Sequence, residues 1–117
     1  MTLEVRMDHI VHICSLEEWQ SAQTAGVYRT DSLNTEGFIH CSRPKQVVEV
    51  ANRYYSGRTD LLLLWIDISS LAAELRWEAS EDGIYPHVYG SINLAVIIQV
   101  SKFPPDDDGI FRSSPAL

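Results

Sequence analysis

Little in this sequence could staple a fold, cross a membrane or grip a polyanion. Cysteine occurs only twice in 117 residues, at Cys14 and Cys41. That is too few for a disulfide framework and suggests a reducing compartment. Basic residues are sparse: Lys and Arg total 9 against 16 Asp and Glu, the net charge is −7, and the basic positions are scattered. A protein that tracks nucleic-acid phosphates needs a basic face, so that class is excluded. A small anionic ligand stays open, because one or two arginines and a helix N-terminus can hold a phosphate. No apolar run approaches the ~20 residues of a membrane span, and the longest, Leu61–Ile66, is strand-sized. Met1–Asp8 lacks a basic-then-apolar arrangement, so no signal peptide is expected. These readings place the protein in the cytoplasm, with no nucleic-acid and no membrane partner.

What the sequence does hold is the content of one globular domain, 45% apolar and 21% charged. A single domain over 1–117 is expected, with its core at about 9–104 and a C-terminal tail, 105–117, beginning in "PPDDDG". The alternating, β-branched His9–Cys14 predicts a strand with Ile10, His12 and Cys14 on one face and His9, Val11 and Ile13 on the other. Ser15 and Glu18 form a capping box for a helix over Leu16–Ala25 that buries Leu16, Trp19 and Ala22 and stops at Gly26. Val27–Glu36 reads as an irregular surface loop. Phe38–Ser42 predicts a short strand with Phe38, His40 and Ser42 on one side and Ile39 and Cys41 on the other. Ser42 fits an N-cap and Pro44 the first turn of a helix ending near Gly57, with Val47, Val50, Ala51 and Tyr54 on one face.

Leu61–Ile68 has the near-continuous apolar run of a central strand covered on both faces. Ser69–Glu74 adds a helical turn, and Leu75–Ala79 alternates with Leu75, Trp77 and Ala79 inward and Arg76 and Glu78 outward. After the Asp82-Gly83 turn, Tyr85, His87 and Tyr89 share one face, and Ile92–Val100 predicts another long strand. The order β-α-β-α-β-β-β-β has too few helices for a doubly wound sheet. An α+β fold with a mixed or antiparallel sheet and two main helices is expected.

Strand parity gathers the chemistry. His12, then His40 with Ser42, then His87 with Tyr85 and Tyr89 can all face one cleft. For any single histidine, a satisfied or half-exposed side chain is the simpler alternative. His12, His40 and His87 could supply an open zinc site, although their spacing matches no compact metal motif. Cys41 faces away from its neighbour His40, whereas Cys14 shares a face with His12 in a geometry that suits a thiolate–imidazole pair. Opposite parity argues against a Cys14–Cys41 disulfide. The reading that uses all three segments is an anion or nucleotide pocket. In it Ser42, Arg43 and the start of the following helix form a positive corner, and Tyr85 and Tyr89 offer flat faces to a ring.

The segments "HIVHICS…EW", "GFIHCSRPKQV", "LLLLWIDI", "RWE" and "YPHVYGSINLAVI" resemble, in order, those of the domain of unknown function 952 family of small bacterial proteins. The resemblance covers about residues 9–104, and "GFIHCS" and "PHVYG" are its most specific parts. It implies a fold grouped with the ADP-ribosyltransferase-like proteins, a split sheet around an NAD cleft. By that implication His12 and His40 hydrogen-bond ribose or phosphate, the helix start at Ser42 takes the phosphate, and Tyr89 stacks on a ring. A glutamate that promotes glycosidic cleavage is expected late in such chains. Here none lies beside His87, and Glu78 in "RWE" is the nearest candidate, on the side of Arg76. The expectation carried forward is a cleft binding NAD or a related nucleotide, with ADP-ribosyl transfer or hydrolysis as a further step. The alternative is a binding module for a small molecule or protein, without chemistry.

Overall fold

Strand β4, Leu61–Asp67, is the centre of the first sheet, as its apolar run requires. It pairs antiparallel with β1, His9–Ser15, on one side and with β8, Ile97–Lys102, on the other. Its alternate side chains feed two cores. Leu62, Leu64 and Ile66 join Ile10, Cys14 and Val88 on one face, while Leu61, Leu63 and Trp65 join Val11, Ile13 and Phe103 on the other. Each such side chain, fully buried, contributes about 1.5–3 kcal/mol relative to exposure. The computed structural model describes residues 9–117, and the expectation for Met1–Asp8 lies outside the described residues.

Helix α1, Leu16–Ala25, begins at the expected capping box: Ser15 Oγ accepts from the Glu18 amide, and a Glu18 carboxylate oxygen accepts from the Ser15 amide. It stops at Gly26, whose φ of 82° is a left-handed conformation that costs glycine little. Ala22 is buried and Trp19 half-buried, but Leu16, expected inside, is 48% exposed. It occupies the first helical position, where its amide donates to the Asp60 carbonyl.

The expected loop over Val27–Glu36 is instead ordered. It contains β2, Val27–Tyr28, and α2, Asp31–Thr35. β2 pairs with β7, Ile92–Asn93, in a separate two-stranded ribbon. The long strand expected over Ile92–Val100 is therefore broken by a 3-10 turn at Leu94–Val96 into β7 and β8.

A third sheet has the order β3–β6–β5, from β3, Ile39–His40, β5, Glu74–Ser80, and β6, Gly83–Tyr89. All its pairings are antiparallel, and the β5–β6 hairpin turns at Glu81-Asp82. A two-way backbone bridge between Val11 and Ser42 ties this sheet's approach segment to β1. Leu75 and Val88 pack in the first core, but Trp77, expected inward, is 48% exposed, with the Arg43 guanidinium 5.9 Å from its ring.

Ser42 does not cap the next helix. A 3-10 turn at Pro44–Gln46, entered from Arg43, precedes α3, Val47–Tyr54. Val47 and Ala51 are buried as expected, whereas Tyr54 is 67% exposed. The packed body also extends beyond 104: Phe111 is fully buried against Phe103, and the Asn52 side chain makes two hydrogen bonds to the Phe111 backbone at 2.7 Å. The result is an α+β domain of antiparallel sheets with few helices. Among the described residues no helix is long and apolar enough to cross a membrane.

Candidate functional site

A cleft of about 700 Å³ lies between β3, β6 and α3, within the range of small-molecule sites. Its wall includes His12, His40, Ser42, Tyr85 and His87, so the parity argument does bring the three sequence segments together. Arg43 and Tyr89 are not part of that wall.

His12 is committed to the fold. Its Nδ1 lies 2.5 Å from the His40 carbonyl oxygen, and its Nε2 lies 2.7 Å from the Tyr28 hydroxyl. A carbonyl can only accept, so Nδ1 carries the proton, and in the neutral ring Nε2 accepts from Tyr28. Burial pushes the His12 pKa down, which keeps the ring neutral. Both nitrogens are thus engaged within the protein. Tyr28, fully buried, is the partner that sequence reasoning missed, because its segment looked like a polar loop.

The other two histidines face each other across a strand pair. His40 and His87 are directly opposite in the β3–β6 register, with ring centroids 5.4 Å apart at 72°. Phe38 stacks on His87 at 4.1 Å and touches His40 and Tyr89. The side chain of His40 is 55% exposed, and its Nε2 lies 3.1 Å from Glu36. His87 is only 8% exposed, and its Nδ1 lies 2.7 Å from Glu78 Oε1. Tyr89 donates to that same oxygen at 2.6 Å.

Glu78 therefore faces His87 and Tyr89 rather than pairing with Arg76, which instead bonds Glu74 and lies over the Tyr89 ring. The register explains it: Glu78 stands opposite Tyr85 and shares a face with His87 and Tyr89. The hydrogen bonds from Tyr89 and His87 hold its pKa below the usual carboxylate value, so it is an ionised acceptor. Because Glu78 is not in the cleft wall while His87 is, the carboxylate holds the imidazole from behind. With Nδ1–H directed at Glu78, Nε2 is the nitrogen left to exchange a proton, and it has no hydrogen-bond partner among the described residues. Tyr89 is engaged by Glu78 and Arg76 and offers no ring face to the cleft.

The expected positive corner is not assembled. Arg43 lies 5.9 Å from the Trp77 ring, and its amide donates to the Gln46 side chain. Ser42 is buried, with its backbone spent on Val11. The cleft wall is instead acidic, carrying Glu18, Glu36, Glu49 and Asp82 against Arg53, which is itself paired with Asp82. Burial also raises the pKa of both thiols, Cys14 to about 12, so neither is poised as a thiolate. Among the described residues no group of three His, Cys, Asp or Glu side chains is arranged to hold a metal ion. The engagement of both His12 nitrogens removes one donor from the three-histidine set.

The fold and site define a small α+β domain with one aromatic, histidine-bearing cleft. Residues 13–100 match the family described as "Protein of unknown function (DUF952)", and the chain belongs to that family. The crystal structure of protein CC0527 from Caulobacter crescentus is similar at 30% identity and a TM-score of 0.81, covering 89% of this chain and 93% of that one. The solution NMR structure of the same protein gives a TM-score of 0.78 at 30% identity, covering 91% and 93%. No curated protein matches the chain.

Proposed function

We propose that this cleft is a small-molecule site in which His87, aimed by Glu78, accepts or donates a proton. The observation that carries the reading is the buried imidazole with one nitrogen fixed by a carboxylate and the other, on a residue lining a cavity, unpartnered. That is the arrangement by which a carboxylate sets tautomer and ring orientation for acid–base work. Phe38, Tyr54, Tyr55 and Tyr85 in the wall give planar surfaces, and His40 adds a second hydrogen-bonding ring.

A ring joined to a ribose suits these surfaces. NAD or a related nucleotide is accordingly the ligand put forward, as the ADP-ribosyltransferase-like resemblance implies. In this reading His87 takes the proton of an attacking water or hydroxyl, whose oxygen bonds the ribose C1′ as the C1′–N bond breaks and neutral nicotinamide leaves. Glu36 or Glu49, two of the carboxylates in the cleft wall, rather than Glu78, balances the developing positive charge.

An amide NMR titration with NAD, ADP-ribose and nicotinamide, each added separately, tests the proposal. Saturable shifts at residues 36–42, 49–55 and 85–88 are expected, and His87→Ala should weaken binding by about 1–3 kcal/mol. No shift at those positions from any of the three, with a dispersed spectrum, overturns the nucleotide reading.

A further inference from the structure

The sign of charge in the cleft restricts what it accepts. Among the described residues, four carboxylate side chains reach the wall, from Glu18, Glu36, Glu49 and Asp82, and Arg53 is the one guanidinium there. Three of the carboxylates are already engaged: Glu18 caps α1, Glu36 meets His40, and Asp82 pairs with Arg53. Glu49, on α3 next to Val50 and Arg53, has no ion-pair or hydrogen-bond partner among the described residues. The wall thus holds an excess of negative charge that the fold does not neutralise. All four carboxylates are solvent-exposed, so their field at the cleft is one that salt screens.

Acidic residues alone would only describe a solvated surface. Two other features of the same cavity point to an occupant. His87 is 8% exposed, and its Nε2 has no hydrogen-bond partner among the described residues. The wall also includes the aromatic rings of Phe38, Tyr54, Tyr55 and Tyr85; aromatic faces attract cations, and the Arg58 guanidinium already lies 5.8 Å from the Tyr55 ring centre. Carboxylates and aromatic rings around the imidazoles of His87 and His40 match a planar organic cation: the rings stack on its body and the carboxylates balance its charge. An anion would meet Glu36 and Glu49, and the guanidinium of the wall among the described residues, Arg53, is already paired with Asp82.

We infer that the cleft selects a planar organic cation, the charged ring of a ligand rather than its phosphates. This rests on the reading of the cleft as a ligand site and adds the sign of charge that it recognises. Where the ligand is a nucleotide carrying a cationic ring, that ring enters and the phosphates stay toward solvent.

The experiment is an amide NMR titration of the full chain at pH 7.5 with three compounds that share one ring system. They are 1-methylquinolinium, a cation; quinoline, neutral at this pH; and quinoline-2-carboxylate, an anion. The expected result is shifts at residues 36–42, 49–55 and 85–87, with the cation bound at least tenfold more tightly than quinoline and the anion most weakly. The cation's advantage should shrink as salt is added. Glu49→Gln should reduce the cation's affinity several-fold while changing that of quinoline by less than twofold. Equal affinity for cation and neutral ring, or preference for the anion, overturns charge selection and leaves the cleft a ligand site. Absence of shifts at these residues with all three compounds overturns charge selection and counts against the cleft itself.

Discussion

Two three-stranded antiparallel sheets divide this molecule, and each contains a buried histidine that does different work. In β1–β4–β8, His12 gives one nitrogen to the His40 carbonyl and the other to Tyr28. In β3–β6–β5, His87 gives one nitrogen to Glu78 and keeps the other on the cleft side. Both rings are 8% exposed, so burial does not distinguish them. Partners do. A buried polar group with every valence satisfied specifies a fold, and one with a valence left over is available to a ligand.

Alanine at each histidine breaks the comparison most directly. His12→Ala leaves the buried Tyr28 hydroxyl and the His40 carbonyl without their ring partner, and a loss of about 2–4 kcal/mol is expected in urea unfolding. His87→Ala leaves Glu78, whose side chain is 34% exposed and can rehydrate, so about 1 kcal/mol or less is expected, together with loss of ligand binding. Equal losses of stability would show that the two rings are structural alike.

Acid sharpens the same contrast. The folded chain depresses the His12 pKa by desolvation, whereas the unfolded chain protonates this histidine below about 6.5. Above that value neither state binds the proton, and the stability from neutral His12 is fully present. As pH falls below it the unfolded state gains a proton that the folded state refuses, so stability drops by up to about 1.4 kcal/mol per pH unit until the folded pKa is reached. Urea midpoints measured between pH 7.5 and 5 should fall with acid in the parent chain and flatten in that window for His12→Phe. Further down, Glu78 carries the same sign: its folded pKa is also depressed, so its stabilisation is present above its unfolded value and lost as acid protonates it.

How much of this could be read from residues alone follows the same division. Local signals survived: the Ser15–Glu18 box, the Gly26 stop, the apolar run of β4 and the parity that put His40 and His87 on one face. What failed depended on partners distant in sequence. Tyr28 looked like part of a polar loop because nothing nearby shows that β7 and His12 await it. Glu78 read only as an outward residue on the side of Arg76, because the register that turns it to His87 is set across the hairpin. Phe38 was placed on the histidine face by alternation, but its stacking on His87 requires knowing that β3 lies beside β6. The acidity of the cleft was hidden for the same reason, since Glu36, Glu49 and Asp82 come from three separate segments.

The two cysteines provide the smallest effect and the finest probe of the two sheets. Cys14 lies on the inner face of β1, and Cys41 follows β3. Both are buried, and burial raises both pKa values, that of Cys14 to about 12. Neither should react with a thiol reagent at pH 8 on the timescale on which both react in denaturant. Slow labelling would then report local opening, which is easier where fewer strands and less apolar surface hold an element in place. β3 has two residues and one paired strand, whereas β1 pairs along its full length with β4. Mass-spectrometric mapping of the modified thiol should therefore find Cys41 labelled before Cys14, showing that the sheet carrying the cleft opens without the sheet carrying the core. Simultaneous labelling would mean that the two sheets open as one unit, and the contrast between His12 and His87 would then belong to their partners alone.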